Sequence, residues 1–452
     1  MKILAFSHTG LTTGGAEQCL IEYVDLLMSR GHECKVIIPH EGDMQRLLTS
    51  KKIENRVIGY GWAIRPHKKV DAHEIRASTG ASLAQIFHEV EKTKPDVILV
   101  NTAVIPWGLY AGRIFGIPTV MLAHEIINER DPSLHVLPSY KSYIKILNEN
   151  VDTVVYNSDF VKGEYEKDLN MPKTPKKILY PLPPLSAQLI NKLYKDNVIG
   201  DTLQMAIFGA LAPRKNQIET LEAIKILRDQ GIKNIHVDFY GDAAANLPYV
   251  NQMRSYIKEN SLGSLADIKG FTTSVYEAMN QYNVVISNSK YEPFGRTIIE
   301  GQLFGRIVIA NSTGGGAELI KHGESGFLYK LGDAGSLAKQ ISWVIKHPGN
   351  AVTVGKTAKG DQKRKYLTNA RYDALIEAVE NSSRNSKGIG CEEDYFNPIS
   401  ALYEYNHVLN ERYKKIARVI NNRYTRAGRH ATRRVVQIAK RRVKEILAYK
   451  LK

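Results

Sequence analysis

Short unbroken apolar runs alternate with amphipathic segments along most of this chain, and that alternation leaves few folds open. Residues 2–7 (KILAFS) make a strand-length run. A helical pattern over 15–30 follows, with Leu20, Tyr23, Val24 and Leu27 on one face and Gly31 as its stop. Further strand-length runs come at 33–38, 96–100, 118–122, 153–156 and 177–180, with helical patterns between them. Strands joined through helices lie parallel, and a parallel sheet is covered by helices on both faces.

The pattern then stops and starts again. Tyr180-Pro-Leu-Pro-Pro-Leu185 holds three prolines in four residues, which neither a helix interior nor a central strand tolerates. A second unit opens with the run 203–208, a glycine, a loop and a helix over 216–230. Strands are expected at 235–240, 266–269, 284–287 and 307–310, with the alternation ending near His347. A helical region over 356–382, a break over 381–394 and a basic tail complete the chain. The expected division is 1–180 as a first Rossmann-like domain, 181–202 as linker and 203–350 as a second such domain. Helices at 351–390 and a basic helical tail at 391–452 follow. The expected fold class is α/β, two Rossmann-like domains facing across a cleft.

Composition narrows the class further. With 452 residues, 43% of them hydrophobic, the chain can bury two cores. Cys19, Cys34 and Cys391 form no C-x-x-C pair and no His-rich cluster, so neither a disulfide framework nor a zinc site is expected. The opening MKILAFSHTG is too short an apolar run for a signal peptide, and no stretch approaches the ~20 apolar residues of a membrane span. The expected location is the cytoplasm. The net charge of +16 is concentrated after residue 400, where 15 Lys or Arg face 3 Glu and no Asp. Attraction to polyanions is therefore a property of the tail and not of the fold.

The strongest local signal is Tyr291-Glu-Pro-Phe-Gly-Arg-Thr-Ile-Ile-Glu300, between a strand and a helix. Pro293 suits a helix start. The backbone N–H groups of Phe294, Gly295, Arg296 and Thr297 then belong to a helix N-terminus, whose partial positive charge attracts phosphate or sugar oxygens. Glu292 and Glu300 stand eight apart, one before the helix and one two turns into it, and a carboxylate readily accepts from vicinal sugar hydroxyls.

Glu292-Pro-Phe-Gly…Glu300 resembles the E-x7-E signature of the retaining glycosyltransferases of family 4 (group 1), whose fold is called GT-B. Other segments follow in that family's order. Gly14-Gly15-Ala16-Glu17 is similar to its glycine-rich first loop, and Leu122-Ala-His124-Glu125 to its strand-end histidine. Gly209-Ala-Leu-Ala-Pro-Arg214-Lys215-Asn is similar to its basic diphosphate clamp. Gly314-Gly-Gly-Ala-Glu318 with Gly323-Glu-Ser-Gly326-Phe is similar to its closing loop. The resemblance runs over about 1–347, more specific in the second half. One departure stands out: family members often carry Arg directly after the first clamp glycine, where this chain has Ala210.

The resemblance implies a sugar transfer with retention from a UDP-, GDP- or ADP-linked donor to a glycan or lipid-linked acceptor. His124 and Glu292 are the catalytic candidates, with the leaving phosphate itself taking the acceptor's proton. Gly14 and Gly15 present backbone N–H groups to the donor. Arg214 and Lys215 neutralise the diphosphate and the charge that develops as the nucleotide leaves. Phe271, in Gly270-Phe-Thr, lies at the base-binding loop, and Phe294, Gly295, Arg296, Thr297 and Glu300 complete the donor contacts. Glu17 is the acceptor candidate. No Asp-x-Asp pair is present, so no metal and no cofactor is expected.

In the tail, Val435, Val436, Ala439, Val443, Ile446 and Leu447 recur at helical spacing among basic residues. Such a helix suits an anionic membrane surface, which would place the protein peripherally on the inner face of the membrane. It also suits packing against a partner subunit. No fingerprint of nucleic-acid binding accompanies the charge. Two other readings share the fold: a sugar-nucleotide epimerase and a non-catalytic partner subunit.

Overall fold

The computed structural model describes residues 1–12, 14–66, 72–127, 134–136, 140–167, 176–179 and 185–382. Its contacts divide them into two compact units. The first holds Met1–Asn157, Lys162–Leu179 and the described residues from Tyr372 on; the second holds Ser158–Val161 and Tyr180–Arg371. The basic tail, with the amphipathic pattern at 435–447, lies outside the described residues.

The first unit runs β1 (Lys2–Ser7), α1 (Gly15–Ser29), β2 (Glu33–Ile38), α2 (Asp43–Ser50), β3 (Glu54–Val57), β4 (Ile64–Pro66), α3 (Ala72–Thr93), β5 (Val97–Asn101), α4 (Trp107–Phe115), β6 (Thr119–Ala123), β7 (Leu134–Val136), α5 (Tyr140–Asn150), β8 (Thr153–Tyr156), α6 (Asp159–Glu166) and β9 (Lys176–Ile178). Seven strands form a parallel sheet in the order β3-β2-β1-β5-β6-β8-β9, and β4 pairs antiparallel with β7. The apolar runs become strands because both sheet faces are covered: β1, β2, β5, β6 and β8 are buried almost throughout. Gly31, at φ 86°, follows α1 as the expected left-handed stop.

The second unit contains α7 (Ala187–Leu193), β10 (Leu203–Phe208), α8 (Gln217–Asp229), β11 (Ile235–Tyr240), α9 (Leu247–Glu259), β12 (Ala266–Gly270), α10 (Val275–Met279), β13 (Val284–Ser287), α11 (Arg296–Leu303), β14 (Ile307–Asn311), β15 (Phe327–Tyr329), α12 (Ala334–Lys346) and α13 (Pro348–Tyr366). Its six strands are parallel in the order β12-β11-β10-β13-β14-β15. One core lies under α8, α9 and α12, and a second under α7, α11 and α13.

In each sheet the first strand sits inside. The chain leaves β1 for β2 and β3 on one side and returns through β5 on the other; it leaves β10 for β11 and β12 and returns through β13. The loops after β1 and β5, and after β10 and β13, therefore part from each other at the carboxyl ends of the strands. Such a switch point opens a crevice where ligands bind.

Two segments differ from the expected division. The stretch read as linker contains α7, capped by Ser186 Oγ accepting from Leu189 N, and Leu185 and Ile190 are buried in the second unit's core. The helices expected at 351–390 part ways. The first, α13, completes the second unit, whereas α14 (Asp373–Glu380) buries Leu375, Ile376, Ala378 and Val379 in the first unit's core. Tyr372 Oη and Glu22 share a hydrogen bond there, and Glu380 Oε1 lies 3.1 Å from His32 Nε2. A sequence pattern gives the apolar face of a helix but not the sheet it covers. Among the described residues no helix is long and apolar enough to cross a membrane.

Candidate active site

The second unit's switch point gathers the clamp residues and the E-x7-E segment. After β10 the chain passes Gly209 and turns through a single 3-10 turn, Pro213–Lys215, before α8. After β13 it runs through Asn288 to Gly295, the residue that caps α11. Asn288 Nδ2 donates to Asn216 O at 2.7 Å and to Thr220 Oγ1 at 2.8 Å, and Lys290 N donates to Arg214 O at 2.8 Å. The two loops are thereby laced together, and Lys215 Nζ meets Glu292 Oε2 at 2.7 Å. Burial alone would raise the Glu292 carboxyl, but the charge and hydrogen bond of Lys215 outweigh it, with a hydrogen bond from Ser289 and the charge of Arg214 assisting. Glu292 lies below the ordinary glutamate range.

Backbone contact explains the glycine run at 314–316. A Cβ on Gly315 would collide with Pro293 O, and Gly315 N donates to Glu292 O at 2.9 Å. The family-like closing loop is thus a backbone cradle for Glu292 and Pro293. Gly295 sits at φ 100°, where a Cβ would lie 2.9 Å from Ile298 Cδ1 and 3.1 Å from Gly316 Cα. Glu300 is buried and held above the usual carboxylate range by that burial, its one opposing charge being Arg296, whose Nη2 is 3.8 Å away. The side chain of Phe294 packs in the core, whereas Phe271 is exposed. Thr297 and Arg296 lie in the first turn of α11, and Arg214 is exposed.

At the first unit's switch point the residues are of another kind. His124 follows β6, and its Nε2 lies 2.9 Å from Asn101 Oδ1 at the end of β5; Asn101 Nδ2 in turn donates to Ala16 O at the start of α1. Gly14 caps α1 and Gly15 begins it. The helix end read as an anion site meets Glu17 itself, whose carboxylate stands where a Cβ on Gly14 would go and accepts from its own backbone N–H. Glu17 Oε1 also lies 3.2 Å from Nε2 of His8, the residue just after β1. Burial pushes Glu17 up, but the hydrogen bond and charge of His8 prevail and hold it below its ordinary value. Glu125 has no such cation in contact: it accepts from Ala103 N at 2.6 Å, and burial pushes it up to about 7. Thr102, beside Ala103, is held at φ 119°, a conformation rare for a residue with a side chain.

The loop carrying His8 is anchored to the loop after β2. Gly10 N donates to His40 Nε2 at 3.1 Å, Met44 N donates to Gly10 O at 3.0 Å, and Thr12 Oγ1 donates to Asp43. His8 and Asn101 are strand-end residues that sequence reasoning did not single out, and Glu125 was named only within the strand-end segment of His124. Their common signal is a polar residue closing an apolar parallel strand. Among the described residues no group of three or more His, Cys, Asp or Glu is placed to hold a metal ion.

Comparison with known proteins agrees with this division. Residues 13–181 match the family model for Glycosyltransferase Family 4, and residues 191–361 match that for Glycosyl transferases group 1. The putative glycosyltransferase EpsD of Bacillus subtilis is 26% identical over 170 residues, which is 37% of this chain and 42% of EpsD. That match thus spans under half of the relative. The alpha-1,3/1,6-mannosyltransferase ALG2 of Saccharomyces cerevisiae is 22% identical over 81% of this chain and 78% of its own. Among solved structures, Anabaena HepE in complex with UDP and glucose superposes with a TM-score of 0.68 at 22% identity, covering 84% of this chain and all of HepE. The fold is that of GT-B glycosyltransferases: the chain carries a family 4 glycosyltransferase domain followed by a group 1 glycosyl transferase domain.

Proposed function

We propose that this chain transfers a hexose-type sugar from a nucleotide-sugar donor to a glycan or lipid-linked acceptor, with retention and without a metal. The observation that carries this reading is the Lys215–Glu292 pair at the second unit's switch point, beside the N-terminus of α11. A lysine and the exposed Arg214 bring two positive charges, and the helix end adds backbone N–H groups. Together these suit a diphosphate whose charge grows as the sugar leaves. Glu292 orients the sugar, Glu300 takes the ribose hydroxyls, and Phe271 borders the base. Arg214 stands in for the arginine that Ala210 replaces. In the first unit, His124 is the proposed catalytic residue. A retained configuration follows from front-face attack, in which the leaving phosphate takes the acceptor's proton.

A UDP-linked donor is the first choice, because HepE was solved with UDP and glucose and with UDP-glucose. The test is thermal stabilisation of the protein by UDP, GDP and ADP and their sugar conjugates in the presence of EDTA. One nucleotide is expected to raise Tm, and Lys215→Ala to abolish the shift. A shift that needs a divalent cation would sink the metal-free reading. No shift with any nucleotide would sink the donor site itself. The anomeric configuration of the product, read by NMR, tests retention.

A further inference from the structure

The two helices that leave the second unit's switch point are both entered through a left-handed residue: Asn216 at φ 57° and ψ 33° before α8, and Gly295 at φ 100° and ψ 53° before α11. An N-cap residue is ordinarily extended, as Gly14 is before α1 and Ser186 before α7. Among the described non-glycine residues at positive φ, Lys52, Lys94 and Ser261 follow the ends of α2, α3 and α9, where a left-handed residue is the usual helix stop, and Thr102 follows β5. Asn216 is the one that opens a helix.

It does not cap the helix it opens. Asn246 before α9 accepts from Tyr249 N at 3.4 Å, whereas the Asn216 side chain makes no cap bond, and Ile218 N in the first turn of α8 donates to Tyr249 Oη at 3.3 Å. Asn216 Nδ2 instead donates to the buried carboxylate of Glu219, which also accepts from Tyr329 Oη at 2.9 Å and Gly332 N at 2.5 Å. Asn216 O accepts from Asn288 Nδ2 at 2.7 Å. That carbonyl can only accept, which fixes the Asn288 amide and leaves its buried Oδ1 with no hydrogen-bond partner. A bare buried acceptor opposes folding, so an apolar residue would fill position 288 better if the bond to Asn216 did nothing. The left-handed turn is thus held twice, through its side chain and through its carbonyl, and the residue before it is Lys215. Backbone held so firmly in a sparse conformation is characteristic of ligand clamps.

We propose that Asn216 and Asn288 are positioning residues, whose interlock sets the turn that aims Lys215 Nζ at Glu292 and, with a donor bound, at its diphosphate. The proposal rests on the transferase reading and adds to it the parts that place the lysine. Asn288 follows β13 directly and its loop carries Glu292, so one side-chain bond ties the lysine's turn to the segment the lysine meets. With a negative φ at 216 the chain would enter α8 from another direction, and Lys215 would leave Glu292.

The experiment reads the lysine and the ligand separately, on the full chain. NMR of the lysine ammonium groups, with Lys215 assigned by Lys215→Arg, reports the ion pair in the free protein; titrations with UDP and with uridine report the ligand. Asn216→Ala gives up both the left-handed preference and the Glu219 bond, whereas Asn216→Gly gives up the bond and keeps the turn. Asn288→Asp keeps the shape and has no N–H to donate. Asn216→Ala and Asn288→Asp should each move the Lys215 signal to that of a solvated lysine and weaken UDP about tenfold or more. Uridine, which has no phosphate, should change less than about twofold. Asn216→Gly should keep the ion-pair signal and bind UDP within about threefold of wild type, a rescue that a merely structural bond to Glu219 would not give. Equal losses in Asn216→Gly and Asn216→Ala overturn the proposal. So does a Lys215 signal unmoved in Asn288→Asp, or equal weakening of uridine and UDP. Should Asn288→Asp fail to fold, the alanine and glycine variants at 216 decide. Failure of every nucleotide to bind wild type would count against the transferase reading, and the Lys215 signal would still decide the interlock.

Discussion

The two switch points are built on one backbone plan and differ in the groups that stand beside their carboxylates. In both units an interior strand leads into a loop that parts from its neighbour, and polar residues stand at the strand ends. In the second unit the key carboxylate, Glu292, has a lysine at 2.7 Å and is held low. In the first, burial pushes Glu125 up to about 7, against the charge of His8 and the backbone N–H groups it meets. The difference teaches that the shared fold fixes where a ligand can sit, while the choice of cation or histidine beside each carboxylate fixes which ligand suits it. Fixed positive charge suits a diphosphate; imidazole, amide and neutral carboxyl groups suit sugar hydroxyls.

The sharpest way to break the comparison is to remove the cation. Lys215→Ala is expected to lower turnover 10²–10³-fold and abolish nucleotide stabilisation, as loss of a preorganised charge stabiliser does elsewhere, read from steady-state kinetics and thermal shift. An unchanged nucleotide shift would mean that the second site does not depend on its lysine. Next in size is the backbone cradle: Gly315→Ala forces a Cβ into Pro293 O and should destabilise by about 2–4 kcal/mol in urea unfolding, with nucleotide affinity falling alongside.

The first site's carboxylate gives a pH signature. Because the folded Glu125 titrates above its unfolded value, folding gains stability from its proton fully below the ordinary glutamate range. That gain is lost as pH rises toward about 7. Glu125→Gln keeps the acceptor oxygen for Ala103 N and should flatten that slope, making the variant more stable than wild type above pH 7 by at most about 3 kcal/mol. A variant that parallels wild type across the range would show that Glu125 is solvated and the contrast with Glu292 is not electrostatic. The smallest effect is expected at Glu380→Gln. It removes a half-exposed contact with Arg30 and His32 and should cost under ~1 kcal/mol.

Much of the scaffold was legible because buried parallel strands announce themselves as apolar runs. The strands Lys2–Ser7, Glu33–Ile38, Thr153–Tyr156, Leu203–Phe208, Ile235–Tyr240 and Val284–Ser287 fall on the expected residues. Glu54–Val57 was missed since its sequence, ENRV, is polar, as an edge strand can be. Phe327–Tyr329 was missed because three residues make no pattern. In the sites, Gly295 and the E-x7-E carboxylates were visible as a local string. The Lys215–Glu292 bond joins residues 77 apart, and the His8–Glu17 contact depends on a loop whose path is set by His40 and Asp43. Neither leaves a periodic trace. Phe294 was read for its backbone N–H; that its ring fills the core is a packing fact the motif does not announce.

The docking of Asp373–Glu380 in the first unit has a consequence for how the protein is made. The first sheet leaves the ribosome early, but Leu375, Ile376, Ala378 and Val379, which close its core, arrive only after the whole second unit has been synthesised. Until then that surface of the nascent sheet is an open apolar face, and the second unit folds inside the interval. A gene cut after residue 179 would express a sheet with that face permanently bare. Isolated first-unit fragments should therefore carry the 372–382 segment, fused by a short linker, if they are to stay monomeric.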